Sequence, residues 1–342
     1  MSNQPPIGVP QGAIRLNTDS QKLEFFAQDR WYEMATDVPT LDGGTRGIFT
    51  GMAAIPNMSP TGIQFITIPT QGNAIDFGDM VDARSNVGSF ASNVRGVFGG
   101  GYSPTPDNDI DFITFASTGN ASDFGDMNYN AFDTVGASNQ TRGLFLGGSP
   151  SGSENDGRVD VDYVTIATTG NALDFGDLFL NCMTAGAGAN PVRAVIANGK
   201  DGSSMSNVIF RVNIATTGNS SDFGDQSTNR QTHGTCSNSV RMVMGGGGTP
   251  TKISSIETLL LATEGNSVLF GDLGAAKSSL GACCDATRAV FGAGIFHPET
   301  HTNNLEYISI ATGGNSVDFG DLLDNSKTSG GTGFSNGHGG LG

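Results

Sequence analysis

Short apolar segments with a two-residue alternation recur along the chain and predict β-strands. In Phe65–Ile68, Tyr163–Ile166 and Tyr307–Ile310, β-branched or aromatic residues lie two positions apart, which is the spacing of side chains on one face of a strand. A second kind of strand is predicted at Arg95–Gly100 and Thr141–Gly148, where an apolar run ends in a glycine pair. No apolar run approaches the roughly 18 residues that a membrane-spanning helix needs, so membrane insertion is not expected.

These strands belong to a repeat that is marked by the phrase Gly-Asn-x-x-Asp-Phe-Gly-Asp. Its phenylalanines are 47, 51, 48, 47 and 49 residues apart: Phe77, Phe124, Phe175, Phe223, Phe270 and Phe319. The Gly-Asn pair predicts the turn of a tight hairpin, and Asp-Phe-Gly-Asp predicts the strand that returns from it. Segments such as Thr134–Ser138 predict a small-residue strand. Four strands in a repeat of this period are typical of a β-propeller blade.

The two ends of the repeat array predict how six blades close into a ring. Blades start near residues 45, 94, 141, 192, 240 and 287. The first blade lacks a small-residue strand, whereas residues 325–336 supply one that has no successor. We expect this C-terminal strand to complete the first blade, because closure removes a sheet edge that would invite aggregation. The predicted fold is therefore all-β, with a six-bladed propeller over residues 45–342.

Residues 1–44 follow a different pattern. Ile14–Asn17, Lys22–Phe26 and Arg30–Met34 predict three short strands separated by turn residues. A three-stranded meander of this size is marginal alone, so we expect it to pack on the propeller, on another subunit or on a larger assembly. The first residues lack the basic and apolar regions of an export signal.

An arginine also repeats, and we expect it to be structural. It occupies the start of one strand in each repeat: Arg46, Arg95, Arg142, Arg193, Arg241 and Arg288. A guanidinium can bond turn carbonyls and an aspartate of the motif, while the motif phenylalanine fills the space between blades. Asp-Phe-Gly is also a kinase string, but repeated copies without a nucleotide loop exclude that interpretation. Calcium binding by Asp76, Asp79 and their equivalents is the alternative.

Length variation is confined to one connection per repeat. From the arginine to the aromatic position of the next strand the interval is 19, 17, 21, 18, 17 and 19 residues, whereas the other intervals are constant. Insertions at one point of a repeat lie on one face, which is often the binding face. The connections are Met52–Gly62, Tyr102–Asp109, Ser149–Asp160, Lys200–Asn207, Thr249–Ser254 and Ile295–Asn304.

Within these connections, short polar side chains with an occasional aromatic suit a polyhydroxylated ligand. The residues that we predict to contact a ligand or host surface are Tyr102, Asp107, Asn108, Glu154, Asp156, Lys200, Asp201, Phe296, His297 and His301. A weak metal site at His297 and His301 is an alternative, and a solvated loop is the other.

Composition narrows the choice of partners and chemistry. The net charge of −16 argues against nucleic acid, which requires basic patches. The cysteines, Cys182, Cys236, Cys283 and Cys284, lack metal-ligand spacing and are expected to be reduced, with a Cys236–Cys283 disulfide as the alternative. No nucleophile and base pattern or phosphate loop is present, so we expect no enzyme activity, cofactor or metal.

Two resemblances cover most of the chain. The glycine pairs Gly99-Gly100, Gly147-Gly148 and Gly245-Gly246 resemble kelch-type propeller repeats, although the kelch tryptophan is missing. The arginine-glycine strands and the Gly-Asn-x-x-Asp-Phe-Gly-Asp motif look like repeat proteins from virions of tailed phages, especially marine and cyanobacterial ones. The leader Gly12–Asn17 through Lys22–Phe26 and Trp31–Glu33 is similar to segments of phage tail-fibre and structural proteins.

The phage resemblance implies a virion structural protein that is assembled in the host cytoplasm and lies on the tail or capsid surface. Residues 1–44 would bind other virion proteins, and the kelch-like propeller would be a tail-fibre adhesin for a host glycan or protein, as a monomer or an oligomer. Two alternatives remain at this point. One is a decoration protein that binds only other virion proteins, and the other is a carbohydrate-active enzyme built on a propeller.

Overall fold

In the computed structural model the chain divides into two compact units, Met1–Gly43 and Gly44–Gly342. The structure describes residues 8–17, 22–33, 45–51, 61–153, 155–296, 298, 300–323 and 331–341. These residues form antiparallel β-sheets and one 3-10 turn at Gly339–Leu341. Nothing in these ranges is α-helical, and they hold no helix that could span a membrane. The predicted all-β class is confirmed.

The N-terminal unit contains a three-stranded antiparallel sheet. Its strands are Ile14–Asn17, Lys22–Ala27 and Arg30–Glu33, paired in sequence order. Gln28 and Asp29 join the last two strands with φ values of 47° and 58°, the left-handed conformation that a type I′ hairpin turn requires at both positions. The predicted strands are therefore present in the described part of this unit.

The second unit contains, among its described residues, six four-stranded antiparallel sheets, numbered 1 to 6 in chain order. In sheets 1 to 3 the strands are, from one edge to the other, Thr332–Ser335, Arg46–Thr50, Gly62–Thr67 and Ile75–Asp79; Gly88–Ala91, Arg95–Gly99, Asp109–Thr114 and Ser122–Asp126; and Val135–Ser138, Arg142–Leu146, Arg158–Thr165 and Leu173–Cys182.

In sheets 4 to 6 they are Gly186–Ala189, Arg193–Ala197, Val208–Asn213 and Ser221–Asp225; Gly234–Ser237, Arg241–Gly245, Ser255–Leu260 and Val268–Asp272; and Gly281–Cys284, Arg288–Gly292, Asn304–Ser309 and Val317–Asp321. Small ladders also form in the connections, at Lys200–Asp201 with Ser204–Met205, at Gly248–Thr249 with Thr251–Lys252, and at Lys277–Ser278 with Ile295–Phe296 and Thr300–His301.

Each sheet begins with its small-residue strand, which we call the inner strand. Sheet 2 thus starts at Gly88, before the arginine strand at which the sequence analysis divided the repeats. In sheet 1 the inner strand comes from the C-terminal end of the chain, where Thr332 pairs with Thr50 and Ser335 pairs with Gly47. This strand lies inside the predicted 325–336 segment, of which residues 325–330 are outside the described residues.

The inner strands contact one another in a cyclic order. Each contacts the inner strand of the next sheet, and that of sheet 6 contacts that of sheet 1. Hydroxyl groups bond across these junctions: Ser237 Oγ donates to Ala189 O at 3.0 Å, and Ser89 Oγ lies 2.6 Å from Thr332 Oγ1. Glycine and other small residues permit the approach, since a Cβ on Gly136 would lie 2.0 Å from Ser89 O.

The hydrophobic core lies between neighbouring sheets. The described residues form six apolar clusters, one for each pair of adjacent sheets, including sheets 6 and 1. The cluster between sheets 6 and 1 contains Phe319 and Leu305 packed with Phe49 and Ile66. Since burial of apolar area is the main stabilising term, each sheet depends on both of its neighbours.

The Gly-Asn pair of the motif connects neighbouring sheets. Gly119 N donates to Phe77 O at 2.7 Å, and Asp79 N donates to Asn120 Oδ1 at 3.1 Å. The third and fourth strands of sheet 1 are joined by residues 68–74, a longer link than a two-residue turn. The prediction of a tight hairpin at Gly-Asn is therefore wrong, because the pair makes its hydrogen bonds to another sheet.

Sheets 6 and 1 make the same contact. Gly72 N donates to Phe319 O at 2.9 Å, and Asp321 N donates to Asn73 Oδ1 at 3.0 Å. A Cβ on Gly320 would lie 2.5 Å from Gly72 O, so the absence of a side chain at Gly320 allows the two backbones to approach. The equivalent amide acceptors are Asn73, Asn120, Asn171, Asn219, Asn266 and Asn315.

The motif phenylalanines are structural. Phe77 is 2% exposed and meets Phe65 of its own sheet edge to face, with ring centroids 5.9 Å apart. The guanidinium carbon of Arg46 lies 4.9 Å from the centroid of the same Phe65 ring. The same arrangement joins Arg142, Tyr163 and the phenylalanine at position 175. A cation above one aromatic face and a ring edge against it are both favourable geometries.

The repeated arginines also bond neighbouring sheets. Arg95 Nη1 donates to Ile166 O at 3.1 Å and Arg142 Nη1 donates to Ile214 O at 2.9 Å, while Arg46 donates to Phe115 O. The expected bonds to carbonyls are present. The expected pairing with the motif aspartates is not present, since the ion pairs among the described residues involve other side chains. The arginine points to the next sheet, whereas the aspartates lie on the outer strand.

Candidate functional site

A cavity of about 150 Å³ lies where the six inner strands begin, and we call it the inner cavity. Every sheet contributes to its lining, which includes Asn86, Asp133, Thr184, Thr232, Ser279 and Thr332. The first five are equivalent turn residues with φ between 50° and 59°, a left-handed conformation that is uncommon outside glycine. Their turns set polar side chains around the start of the inner strands.

Several neighbouring turn residues are hydrogen-bonded to one another around the cavity. Asp133 N donates to Asn86 O at 3.0 Å, Thr232 N donates to Thr184 O at 2.8 Å, and Ser279 N donates to Thr232 O at 2.8 Å. Asn86 also donates its side-chain amide to Asp133. Backbone strain of the left-handed turns is thus offset by bonds between sheets.

Four residues that line the cavity have polar side-chain atoms with essentially no accessible surface and no hydrogen-bond partner within the described protein. These atoms are both ring nitrogens of His233 and the hydroxyls of Thr134, Thr184 and Thr235. His233 is 5% exposed, and a Cβ on Gly186, another lining residue, would lie 3.0 Å from its Nε2. Burial, together with the charge of Arg230, lowers the pKa of His233 to about 3, so the imidazole is neutral near pH 7.

The far end of the inner strands is crossed by the C-terminal segment. His338 Nε2 lies 2.8 Å from Ala91 O, and a Cβ on Gly340 would lie 1.9 Å from Ser138 O. A Cβ on Gly339 would lie 2.1 Å from the carbonyl carbon of Asn238. The segment therefore touches sheets 2, 3 and 5, and a second cavity of about 60 Å³ lies beside it.

The connections of variable length begin beside the inner cavity. Tyr102 pairs with Ser85, and Gly248 with Gln231, through isolated bridges, and in each case the next residue along is a lining turn residue. Phe132 with Ser149 and Met183 with Lys200 repeat the pattern, as do Ser278 and Ile295 in a short ladder. Five connections thus start at one side of the described sheets, while residues 52–60 of the first lie outside the described residues.

Neighbouring connections also touch. Tyr102 is 40% exposed, and its ring meets Phe132 with centroids 5.7 Å apart. A Cβ on Gly152, in the next connection, would lie 3.0 Å from the Tyr102 ring. Lys252 Nζ donates to Phe296 O of the following connection at 3.0 Å. Of the predicted contact residues, Tyr102 is therefore placed where an aromatic face is available.

Several of the predicted polar contact residues are already hydrogen-bonded to other residues of the protein. Asp107 Oδ1 accepts from Asn108 N at 2.7 Å, and Asn108 Nδ2 donates to Met127 O at 3.1 Å. Asp156 accepts from Ser149 Oγ, and these hydroxyl bonds hold the pKa of Asp156 below its usual value. Such carboxylates and amides order the connections, which leaves fewer of their groups for a ligand.

The remaining predicted residues are spread over other parts of this surface. Lys200 is 9% exposed, and Asp201 accepts from Asn181 Nδ2 at 3.1 Å. Phe296 and His301 are half-buried in one small ladder. Glu154 and His297, which the sequence also predicts, lie outside the described residues, so the predicted site is brought together only in part.

The metal and disulfide alternatives have no support in the described ranges. No group of three or more His, Cys, Asp or Glu side chains there could hold a metal ion, and Asp76 and Asp79 are exposed on the outer strand. Cys236 and Cys283 are free and buried, as are Cys182 and Cys284, which agrees with the expected reduced state and contradicts the disulfide.

Sequence reasoning missed a buried acceptor in the third strand of most sheets. Asp162 Oδ2 accepts from Asn128 N at 2.7 Å, and Glu306 Oε2 accepts from Gly274 N at 2.7 Å. The same position holds Gln64, Asp111 and Glu257, which accept from the backbone of Leu323, Val81 and Ser227. A polar residue at one fixed position of an otherwise apolar strand was the signal for this contact between sheets.

Three of these acceptors face a buried cation. Arg230 pairs with Glu257, with side chains 0% and 1% exposed, and Lys277 pairs with Glu306. Burial opposes ionisation of Glu306, but the Lys277 charge and the Gly274 hydrogen bond outweigh it and lower its pKa. Burial raises the pKa of Asp111 to about 6, although Arg84 lies 2.8 Å away.

No protein-family model matches the chain, and no curated protein matches its sequence.

Proposed function

We propose that residues 45–342 form a six-bladed, kelch-like β-propeller and that the protein is a non-enzymatic structural protein of a phage virion. In this proposal the propeller is the host-binding part of a tail fibre or adhesin. Residues 1–44 attach it to other virion proteins at the tail or capsid surface, after assembly in the host cytoplasm.

Cyclic contact between sheets supports the propeller. The inner strands follow one another from sheet 1 to sheet 6 and back to sheet 1, an apolar cluster fills each junction, and the Gly-Asn contact recurs between sheets 6 and 1. A ring of four-stranded sheets that are packed face to face is the propeller architecture.

One observation supports the adhesin function: connections of unequal length start side by side around the inner cavity. Their first residues pair with the cavity turns, and their later residues bridge from one sheet to the next, as Lys252 does to Phe296. Binding residues are concentrated on loops held by a rigid scaffold. This surface combines an exposed aromatic ring at Tyr102 with hydroxyl and amide groups, which suits a glycan.

Immunogold labelling tests the location. Antibodies against the purified full chain are applied to particles of the phage that encodes it. Gold at the distal tail supports the adhesin, gold spread over the capsid favours the decoration alternative, and particles without gold contradict any role in the virion. Competition of phage adsorption by the purified chain then tests host contact, and a Tyr102→Ala variant that competes equally well would count against the connection surface.

A further inference from the structure

The face of the second unit that lies opposite the connections exposes most of its apolar side chains, and we call it the far face. It is formed by the turns that precede the repeated arginines and by the links between third and outer strands, residues 68–74 and their equivalents. Exposed apolar groups that gather on one face are typical of a surface that binds another protein. Nine of the thirteen large apolar side chains that the described part of this unit exposes lie here: Ile75, Val94, Leu173, Val192, Val240, Leu260, Val268, Leu269 and Val317.

Sheet 5 contributes four of these nine side chains, more than any other sheet. Leu260 ends its third strand and pairs with Arg241 at the start of the arginine strand. Val240 O accepts from Leu261 N at 2.9 Å, which holds the turn before Arg241 beside the end of the third strand. The outer strand begins at the same end of the sheet. The four side chains are 45% to 68% exposed and form what we call the sheet 5 patch: Val240, Leu260, Val268 and Leu269.

The other five sheets show that the fold does not require the two leucines of this patch. The position of Leu269 is aspartate in the other five copies of the motif, and the position of Leu260 is threonine, asparagine or serine in the other five sheets. Those polar residues occupy the same strands and pair with the same arginine position, as Thr67 does with Arg46. Because a leucine gains stability only when it leaves water, its presence at two exposed positions that are polar elsewhere indicates a partner that covers it.

The charge of the far face is balanced, although the chain has a net charge of −16. Its described cations are the six repeated arginines and Arg211, which pairs with Glu264 at 2.7 Å. Two copies of an acidic chain repel each other wherever carboxylates are in excess, so they can approach most easily at a balanced face. The described far face has no lysine, a residue that is depleted in protein interfaces. Its described carboxylates are equal in number to its arginines: Asp76, Asp123, Asp174, Asp222, Asp318, Glu264 and Asp285.

Leu269 also indicates which partner the patch fits. A cationic partner would bind better to the aspartate that the other motif copies carry, whereas a second copy of this acidic chain gains from its removal. We infer that the sheet 5 patch is the centre of a contact between two copies of the chain, related by a two-fold axis so that each patch covers the other. An interface of standard size buries about 800 Å² per partner and uses roughly 20 to 30 residues a side. The far-face turns and links of sheets 4, 5 and 6 contain enough residues for such a contact.

Sedimentation velocity of the full chain, measured over a range of concentrations, tests the inference. Leu260→Thr and Leu269→Asp introduce the residues of the other sheets, so both variants should fold, and an unchanged urea midpoint confirms it. Each substitution acts twice in a two-fold contact, so each should raise the dissociation constant of the dimer about tenfold or more. Phe179→Ser is the matched control. It removes a ring that is 60% exposed on the side of the connections, where the equivalent residue of sheet 4 is Ser227, and it should leave the dissociation constant unchanged.

Thiol labelling locates the contact independently. The four native cysteines are buried and free, so an exposed introduced cysteine reacts selectively with a maleimide. Val240→Cys should react slowly at concentrations where the chain is dimeric and quickly after dilution. Val94→Cys, at the same turn position of sheet 2 and 55% exposed in the native residue, lies three sheets away and should react quickly at both concentrations.

The inference is overturned if the dissociation constant of the dimer exceeds roughly 100 µM, or if a dimer forms that Leu260→Thr and Leu269→Asp leave intact. A monomer in which Val240→Cys is protected would also overturn it, because other residues of the same chain would then cover the patch. None of these results changes the expected outcome of the immunogold labelling, so the proposed function is tested separately.

Discussion

Replacing Phe334 by alanine tests whether the C-terminal strand holds the second unit closed. Phe334 is 5% exposed, and its ring centroid lies 6.3 Å from that of Phe98 and 6.1 Å from that of Phe115. It also fills the space that a side chain on Gly96 would occupy, since a Cβ there would lie 2.2 Å from Phe334 Cε2. Removing this ring leaves a cavity between sheets 1 and 2.

The size of the effect follows from burial and the aromatic contacts. Truncation of a buried phenylalanine to alanine lowers the free energy of unfolding by about 3 to 5 kcal/mol. Because Phe334 makes two ring contacts, we expect a loss of about 4 kcal/mol for Phe334→Ala. With a urea slope of roughly 3 kcal/mol per M, the midpoint of unfolding should fall by about 1.3 M. Urea titration followed by fluorescence and circular dichroism measures it on the full chain.

Phe90 provides the matched control. It holds the same inner-strand position in sheet 2, is 3% exposed and packs against Phe145 with centroids 4.8 Å apart. Phe90→Ala should lower the free energy of unfolding about as much as Phe334→Ala, since each substitution removes a buried ring at a cost of about 3 to 5 kcal/mol. A loss below about 0.5 kcal/mol for Phe334→Ala alone, the size typical of surface changes, would mean that the C-terminal strand is not part of sheet 1 in solution.

Four other substitutions test further sites by the same urea titration. Asn73→Ala removes the amide acceptor between sheets 6 and 1 and should lower the free energy of unfolding by about 0.5 to 1 kcal/mol. Asn120→Ala, which makes the same change between sheets 1 and 2, should have the same effect. If Asn120→Ala destabilises the protein and Asn73→Ala does not, the contact between sheets 6 and 1 is absent in solution. Glu257→Gln leaves the fully buried Arg230 without a counter-charge and should cost about 3 kcal/mol, which a loss under 1 kcal/mol would contradict. The pKa of His233 is about 3 in the folded protein and near 6.5 in the unfolded chain. The unfolded state therefore binds the proton first, and the stability of the fold decreases as the pH drops from about 6.5 towards 3. In His233→Gln that part of the acid-induced loss should disappear, and an unchanged pH profile of stability would argue against a neutral buried imidazole.

The strands could be predicted because their signals are local. Alternation within Tyr163–Ile166 and the glycine pair after Arg95–Phe98 describe single strands, and the small-residue strand without a successor indicated the partner of Arg46–Thr50. The contacts between sheets were harder to predict. Gly119 and Asn120 have the composition of a hairpin turn, but their hydrogen bonds go to sheet 1, and sequence spacing does not reveal which sheet receives them.

The candidate site was predicted less well than the strands. Side chains such as Asp107 and Asp156 were predicted to meet a ligand, yet they bond within their own connections. His233 was not among the predicted contact residues, and its position in the repeat is held by Val87, Thr134 and Leu280 in other sheets. Only the placement of that position against the inner cavity distinguishes an unpartnered imidazole from an ordinary buried one.

The origin of the last inner strand imposes an order on biosynthesis. Arg46–Thr50 leaves the ribosome early, but its partner Thr332–Ser335 is made after all six arginine strands. At about 5 to 20 residues per second, that edge waits roughly 15 to 60 s for its partner. During this time the nascent chain exposes an unpaired strand edge that can recruit a neighbouring chain, so translation speed and chaperone access should govern the yield of protein with a correctly paired first sheet.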